Sequence, residues 1–333
     1  MKRILFGLIS VCMVLLSCKK EHTKIINPDQ TLYKVTINVG FSQQTSDFKP
    51  NSLKKTNSLS TNNLQTFALS DQIKVIYYAV YDSVGNNVHI IKQLSTDADF
   101  GSFTDNLKSG RYTIAVAAGQ SNNLVLGPQS NQTLSKLSTD IISDNHPDGT
   151  NSFSADVFFK KIALSVSTTA STQSIDLVRI VSQLVVNIED AIPANAQTME
   201  VIIGNVDNLF NIGTETLGYF NMPSQVTNFY TIPSAAIGTT NYKISTIVLG
   251  QSASVTIQCA STPIDVFKND FGYLGYNKDI FAQKVINNVA FQPNTETLLT
   301  GKLFGGNGTT GTGGVKAVID TTWNQSPLLI SFP

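Results

Sequence analysis

From Tyr33 to Phe41 the chain reads Tyr-Lys-Val-Thr-Ile-Asn-Val-Gly-Phe, with an apolar or aromatic side chain mostly at every second position. A period of two predicts a half-buried strand. Ile73 to Tyr81 is β-branched and aromatic on both faces, which predicts a central strand covered on both sides. The glycine and asparagines between Asp82 and Asn87 predict a hairpin turn into a strand from Val88 to Leu94. Further strands are expected from Tyr112 to Ala117, entered through Ser109-Gly110, and from Val157 to Val166. Residues 42–66 read as a long polar loop. Residues 119–153 are polar, with breaks at Gly127-Pro128 and Pro147-Asp148-Gly149.

The stretch 175–188 fits two periods. Leu177, Ile180, Val181, Leu184, Val185 and Ile188 make a helical stripe, while Leu184, Val186 and Ile188 also make one face of a strand. The stiff χ1 of its valines and isoleucines favours a strand from Val181 to Ile188. Strands then recur near 198–204, 243–250, 252–259, 284–291, 297–304 and 315–323. Turn signals separate them and no other long helical stripe intervenes, so the chain reads as all-β. Two β-sandwiches are expected, over 33–172 and 173–333. They would be joined around 168–176, where Ser, Thr and Ala dominate.

Before the first strand the pattern changes. Lys2 and Arg3 precede an apolar run from Ile4 to Leu16, which ends in Leu15-Leu16-Ser17-Cys18. The run is shorter than the ~20 residues a spanning helix needs. It has the form of a secretory signal over residues 1–17. The apolar residue three before the cut, the small residue before it and the cysteine resemble a bacterial lipobox, in which the Cys18 thiol is alkylated by a diacylglyceryl group. Each buried methylene of such an anchor contributes ~0.8 kcal/mol. Residues 18–32 would then be a lipidated tether, beginning Lys19-Lys20-Glu21-His22. Its roughly 14 residues reach ~50 Å at ~3.5 Å each.

Composition narrows the function. The chain has 23 basic and 23 acidic residues. Removing Lys2 and Arg3 leaves it slightly acidic, so no basic field exists to attract nucleic acid. Cys12 would leave with the signal and Cys18 would carry lipid, leaving Cys259 without a disulfide partner. Cys259 lies on the apolar phase of its strand and reads as a buried small hydrophobe. No catalytic residue, cofactor or metal site is expected. Gly306-Asn307-Gly308-Thr309-Thr310-Gly311 spells a dinucleotide motif, but a strand follows where a helix is needed. Asp144 to Gly149 begins like a calcium loop, yet His146 occupies its third position and Ala155 stands where the bidentate glutamate belongs. His22, His89 and His146 show no metal spacing. Glu189-Asp190 reads as a solvated turn. Trp323 falls on the inward phase of its strand, and Tyr77, Tyr78 and Tyr81 are accounted for by a central strand.

Three stretches carry a resemblance. Leu107 to Gly119 looks like the loop–Gly–x–Tyr–strand unit of transthyretin-like sandwiches. Leu177 to Pro193, with Arg179 and Glu189-Asp190, resembles the opening of the second domain in Bacteroidetes fimbrial proteins. Phe291 to Phe304 resembles their late hairpin, and a last strand ending in Trp323 follows. The mature chain is similar to the fimbrillin-like family. The resemblance implies two tandem transthyretin-like β-sandwiches, no catalysis, and partners that are fimbrial subunits of the same family joined by strand pairing. Members that polymerise are cut after an early arginine. No arginine precedes Arg111 in the mature chain, which favours an anchor or accessory member. The candidate joining strand is Val315 to Phe332, interrupted by Pro327 and ending in Leu328, Leu329, Ile330 and Phe332. A second reading is a surface glycan-binding lipoprotein serving an outer-membrane import system.

The anchor has a direct test. Membrane fractions should lose the protein when Cys18 is replaced by Ala. Undiminished retention in the outer membrane would exclude lipidation at that residue.

Overall fold

The computed structural model describes residues 31–41, 68–128, 137–144, 153, 155–219, 224–263, 265–268, 274–277, 279–304, 317–320 and 329–332. These form an all-β protein, as the alternation requires. The first half supplies β1 (Leu32–Phe41), β2 (Val75–Tyr81), β3 (Asn87–Leu94), β4 (Ser102–Lys108), β5 (Gly110–Gly119), β6 (Leu124–Pro128), β7 (Asp140–Asp144), β8 (Val157–Val166) and β9 (Ser171–Arg179). The second supplies β10 (Ser182–Ile188), β11 (Thr198–Val206), β12 (Leu209–Asn211), β13 (Thr216–Gly218), β14 (Ser224–Thr231), β15 (Tyr242–Val248) and β16 (Ser252–Ala260). It continues with β17 (Asp265–Lys268), β18 (Leu274–Asn277), β19 (Ile280–Ala290), β20 (Glu296–Gly301), β21 (Ala317–Asp320) and β22 (Leu329–Phe332).

The first seven-stranded sheet runs β3-β2-β5-β8-β9-β1-β4 and curls around one core. Val35 and Ile37 of β1, with Phe103 and Leu107 of β4, face Ile76, Tyr78 and Val80 of β2 and Ile114 and Val116 of β5. Every residue of β2 is buried, because its other face is covered too. There Val75, Tyr77, Ala79 and Tyr81 pack under Leu124 and Leu126 of β6, Ile142 of β7 and Phe210 of β12. That cover is a four-stranded sheet, β13-β12-β7-β6, made from both halves of the chain. Phe210 and Asn211 pair with Ile142 and Ile141. Lys161 of β8 fastens the same excursion, its Nζ donating to the Gly213 carbonyl at 2.6 Å and meeting Glu215 at 3.0 Å. Gly213 lies so close to the 137–138 backbone that a Cβ would come within 2.6 Å of Ser138 Cα.

The second unit is a sandwich. A five-stranded sheet, β15-β10-β20-β21-β22, faces a four-stranded one, β14-β11-β16-β19. Leu184, Val186 and Ile188 of β10 meet Val201 and Ile203 of β11 and Val255, Ile257 and Cys259 of β16. The ambiguous run is therefore a strand, and one of its faces is core. Two stretches in which the sequence predicted no strand, the polar one and the expected join, contain strands. Residues 119–153 hold β6 and β7, and residues 168–176 run into β9, whose Val35-to-Phe41 partner strand lies parallel to it.

Chain passes between the units at residues 179–183, and one buried ion pair sits there. Arg179 Nε and Nη2 meet the two oxygens of Asp156 at 2.8 Å each, and both side chains are only 4% exposed. Nη1 donates to Asn294 Oδ1 of the second unit at 3.3 Å. The guanidinium lies 5.1 Å from the centre of the Phe158 ring. Burial pushes the Asp156 carboxyl up from the ordinary carboxylate range, and the guanidinium pulls against it. Backbone bonds add to the joint, with Asn294 N–H donating to the Val181 carbonyl and Gln183 N–H to the Thr295 carbonyl, each at 2.9 Å.

Two outcomes follow from this packing. Removing one partner of a buried pair strands the other, at about 3–5 kcal/mol. Arg179→Met and Asp156→Asn should each lower the urea midpoint accordingly, and the Arg179→Met/Asp156→Leu pair should recover part of the loss. A single variant that unfolds at the wild-type midpoint would contradict this role. Separately, burial pushes the Cys259 thiol up to about 12. At pH 8 roughly one thiol in ten thousand is then ionised, and only the thiolate reacts. A chain without residues 1–18 should resist a thiol-reactive dye when folded and react fully in denaturant. Rapid reaction of the native protein would show Cys259 to be open.

Candidate assembly surface

A strand paired on one side only leaves a row of N–H and C=O groups that another chain can fill. The way each such edge is closed is the feature that bears on assembly. In the first unit the terminal strands β3 and β4 are brought face to face and joined by side chains. Gln93 Nε2 donates to the Ser102 carbonyl at 3.0 Å and to the Asp99 carbonyl at 3.2 Å, while its oxygen accepts the Gly101 N–H at 2.9 Å. Gly101 sits at φ +86°, and a Cβ there would meet Leu69 Cδ2 at 2.5 Å, so the corner requires glycine. Farther along, His89 Nε2 lies 2.9 Å from Asp105 Oδ2, which also accepts the Tyr78 hydroxyl at 3.2 Å. Burial and the Asp105 charge push the Tyr78 hydroxyl up, so it remains a donor.

In the second unit β19 is paired, among the described residues, only with β16, and its shape discourages a further partner. Its register with β16 shifts at Val255/Ile286 and again at Ala260/Ile280. Asn288 takes the left-handed conformation at φ 57°. Lys284 stands opposite the core residue Ile257, which places a charge on the inward phase. Bulges and inward charges are the ordinary protection of an edge. Phe281, exposed on this strand, stacks on Phe304 with centroids 5.8 Å apart.

On the opposite side of the sandwich lie β14 and β15. The β10–β15 ladder runs without a break from Ser182↔Val248 to Ile188↔Tyr242. Tyr230 of β14 crosses to it, its hydroxyl donating to the Ser245 carbonyl at 2.7 Å. Burial pushes this hydroxyl up to about 12, so it donates throughout the physiological range. Beside this bridge is a small crevice lined by Ile203, Val206, Asp207, Val226, Ile247 and Val248. Burial pushes the Asp207 carboxyl up.

The tail belongs to the same sheet as β15, at its other end. β20 pairs antiparallel with β21 through Glu296↔Asp320 to Leu299↔Ala317. It then pairs parallel with β22 at Thr300↔Ser331 and Gly301↔Phe332. The described parts of the candidate joining strand thus complete the chain's own sheet. Asp190 fixes the end of β20 by accepting the backbone N–H of Leu303 at 3.1 Å and of Phe304 at 2.6 Å. The expectation of a solvated turn at Glu189-Asp190 is corrected on this point, because two main-chain donors at the strand end need an acceptor and Asp190 supplies it.

Other expectations are placed as follows. Tyr77, Tyr78 and Tyr81 are buried, so they form no shelf for a sugar. Cys259 is buried and free. Cys18, His22, His146, Trp323 and the glycine run from Gly306 to Gly311 lie outside the described residues. Among the described residues no group of three or more His, Cys, Asp or Glu is arranged to hold a metal, and no helix is long and apolar enough to cross a membrane. Sequence reasoning missed Asp105 and Tyr230. Only the phase of Asp105 between Phe103 and Leu107 hinted at an inward carboxylate needing partners.

A family model described as the fimbrillin-A associated anchor proteins Mfa1 and Mfa2 matches residues 45–324. No curated protein matches the chain. Among solved structures it is similar to a candidate adhesin of Bacteroides thetaiotaomicron, at 11% identity, over 92% of this chain and 99% of that one, with a TM-score of 0.50. It is also similar to candidate polysaccharide-binding proteins of the same organism, at 12% identity, 87% and 96% coverage and a TM-score of 0.49. A third is the fimbrial anchor protein Mfa2 of Porphyromonas gingivalis, at 10% identity, 90% and 100% coverage and a TM-score of 0.48. Identities this low speak of fold alone.

Proposed function

The chain belongs to the fimbrillin-A associated anchor family, and on that premise we propose that it is a lipoprotein holding fimbriae to the outer surface of a bacterial cell. The observation that carries the reading is the family match across residues 45–324, a span that begins after the lipobox-like Cys18. Lipid on Cys18 would fix the protein in the outer membrane, and the tether of residues 18–32 would present the sandwiches beyond it. Its partners are fimbrial subunits of the same family, met through backbone pairing and not through a ligand pocket. The role is structural and adhesive rather than enzymatic, and the near-neutral charge gives no reason to expect nucleic acid as a partner.

Joining by the C-terminal segment fits this reading. Four apolar residues, Leu328, Leu329, Ile330 and Phe332, fall within the last stretch from Leu328 to Pro333. Burying them contributes ~1.5–3 kcal/mol each, so they need a dock. In the free chain β21 and β22 lie on β20. The same backbone groups could be exchanged for those of a neighbour with little net change in hydrogen bonding.

Deleting Leu328 to Pro333 tests the exchange. The truncated chain should remain folded by circular dichroism and fail to co-sediment with fimbriae. If it unfolds outright, the tail is core and the exchange is excluded.

A further inference from the structure

Backbone edges ask for backbone partners, and the long ones in this chain differ in how far they are already met. Side chains from Gln93 and His89 span the gap between β3 and β4. Two register shifts and an inward lysine guard β19. On β14, Asn228 lies in phase with the core-packed Val226 and Tyr230, and its side-chain nitrogen is buried without a partner. β15 carries one such contact, the Tyr230 hydroxyl on the Ser245 carbonyl, and neither a bulge nor an inward charge. Among the described residues it pairs with β10 alone, in a register free of shifts over seven residues, Tyr242 to Val248.

The direction of its free groups can be read from one bond. The Ser245 carbonyl accepts the Tyr230 hydroxyl, so it faces away from β10. In an antiparallel pair the N–H and C=O of one residue point the same way. The Ser245 N–H therefore faces outward as well, and Lys243 and Ile247 share its phase. Among the described residues only the Ser245 carbonyl of these groups is firmly met, the Ile247 carbonyl having just a long 3.4 Å contact from Thr246 Oγ1. The chemistry that completes such a row is an extended polypeptide.

Two further features define that polypeptide. At the Val248 end is the crevice walled by Ile203, Val206, Val226 and Ile247, sized for part of an apolar side chain. Asp207 is its one charged group, and it makes no ion pair among the described residues. At the other end Lys243 is exposed and equally without an ion-pair partner. The edge thus carries a positive end and a negative end, which fixes a direction for whatever lies along it.

We infer that β15 is a docking edge for an extended segment of a second fimbrial subunit, which adds beside it as a further strand of the five-stranded sheet. That segment places an apolar side chain in the crevice, a basic residue near Asp207 and an acidic residue near Lys243. The inference rests on the fimbrial reading and goes beyond it by naming the receiving edge and the charge order of the incoming strand.

The test uses the mature full-length chain and fimbriae sheared from cells deleted for this protein. Ser245→Pro removes an outward N–H while leaving the β10 ladder its own bonds, since proline is accepted at an edge. Lys243→Glu reverses one end without touching the backbone. Wild-type chain should bind the fimbriae, Ser245→Pro should lose at least about tenfold in affinity, and Lys243→Glu should lose severalfold. In the bound wild-type chain the amides of Lys243, Ser245 and Ile247 should exchange at least about tenfold more slowly than in the free chain. If Ser245→Pro does not fold, Lys243→Glu and the amide rates decide. Wild type and variants binding alike, or unchanged amide rates in the bound chain, would overturn the edge assignment alone. Fimbriae that ignore the wild-type chain would overturn the fimbrial reading with it.

Discussion

Every sheet in this molecule faces the same constraint: a strand edge must be paired, covered or spoiled, or it will take up another chain. The first unit meets it by curling until its two terminal strands are side by side, with Gln93 and the Tyr78–Asp105–His89 cluster filling the gap. The second unit spoils β19 with bulges and a lysine and covers β20 with the tail. A surface protein that joins others through strands has to be selective about which edge it leaves available.

Cohesion between the units rests on a different kind of interaction. Arg179 collects Asp156 from the first unit and Asn294 from the second, and the hairpin of β12 and β13 reaches back to pair with β7. Apolar contact alone would hold the halves together without fixing their orientation. Asp156 holds the guanidinium in one plane with two bonds, and from there Nη1 reaches Asn294 of the second unit, beside the backbone bonds of Asn294 to Val181 and of Gln183 to Thr295.

Much of the fold was legible because burial on one face leaves a period of two. β1, β10 and β16 declare themselves in this way, and the double-faced burial of β2 could be read from its unbroken apolar run. What stayed hidden has physical reasons. β4 carries Asp105 in its inward phase, and the partners that neutralise this cost, Tyr78 and His89, are remote in sequence. β9 shows hydroxyls and amides along its first half because that half is exposed. β6, β7 and β12 are too short to show a period, and their pairing is non-local. The edge at β15 was seen as a strand but not as an edge, since which side of a strand is paired is a property of topology that no local pattern records. The lipobox-like segment is a different case, as a linear signal of that kind is legible without any fold.

The central claim is that this chain holds fimbriae to the cell. Its most direct test is to delete the gene and measure how fimbrial protein divides between washed cells and culture medium, with restoration by the wild-type gene as the control. The account predicts that most of the fimbrial protein moves into the medium in the deletion strain and returns to the cells on restoration. An unchanged division between cells and medium would contradict it.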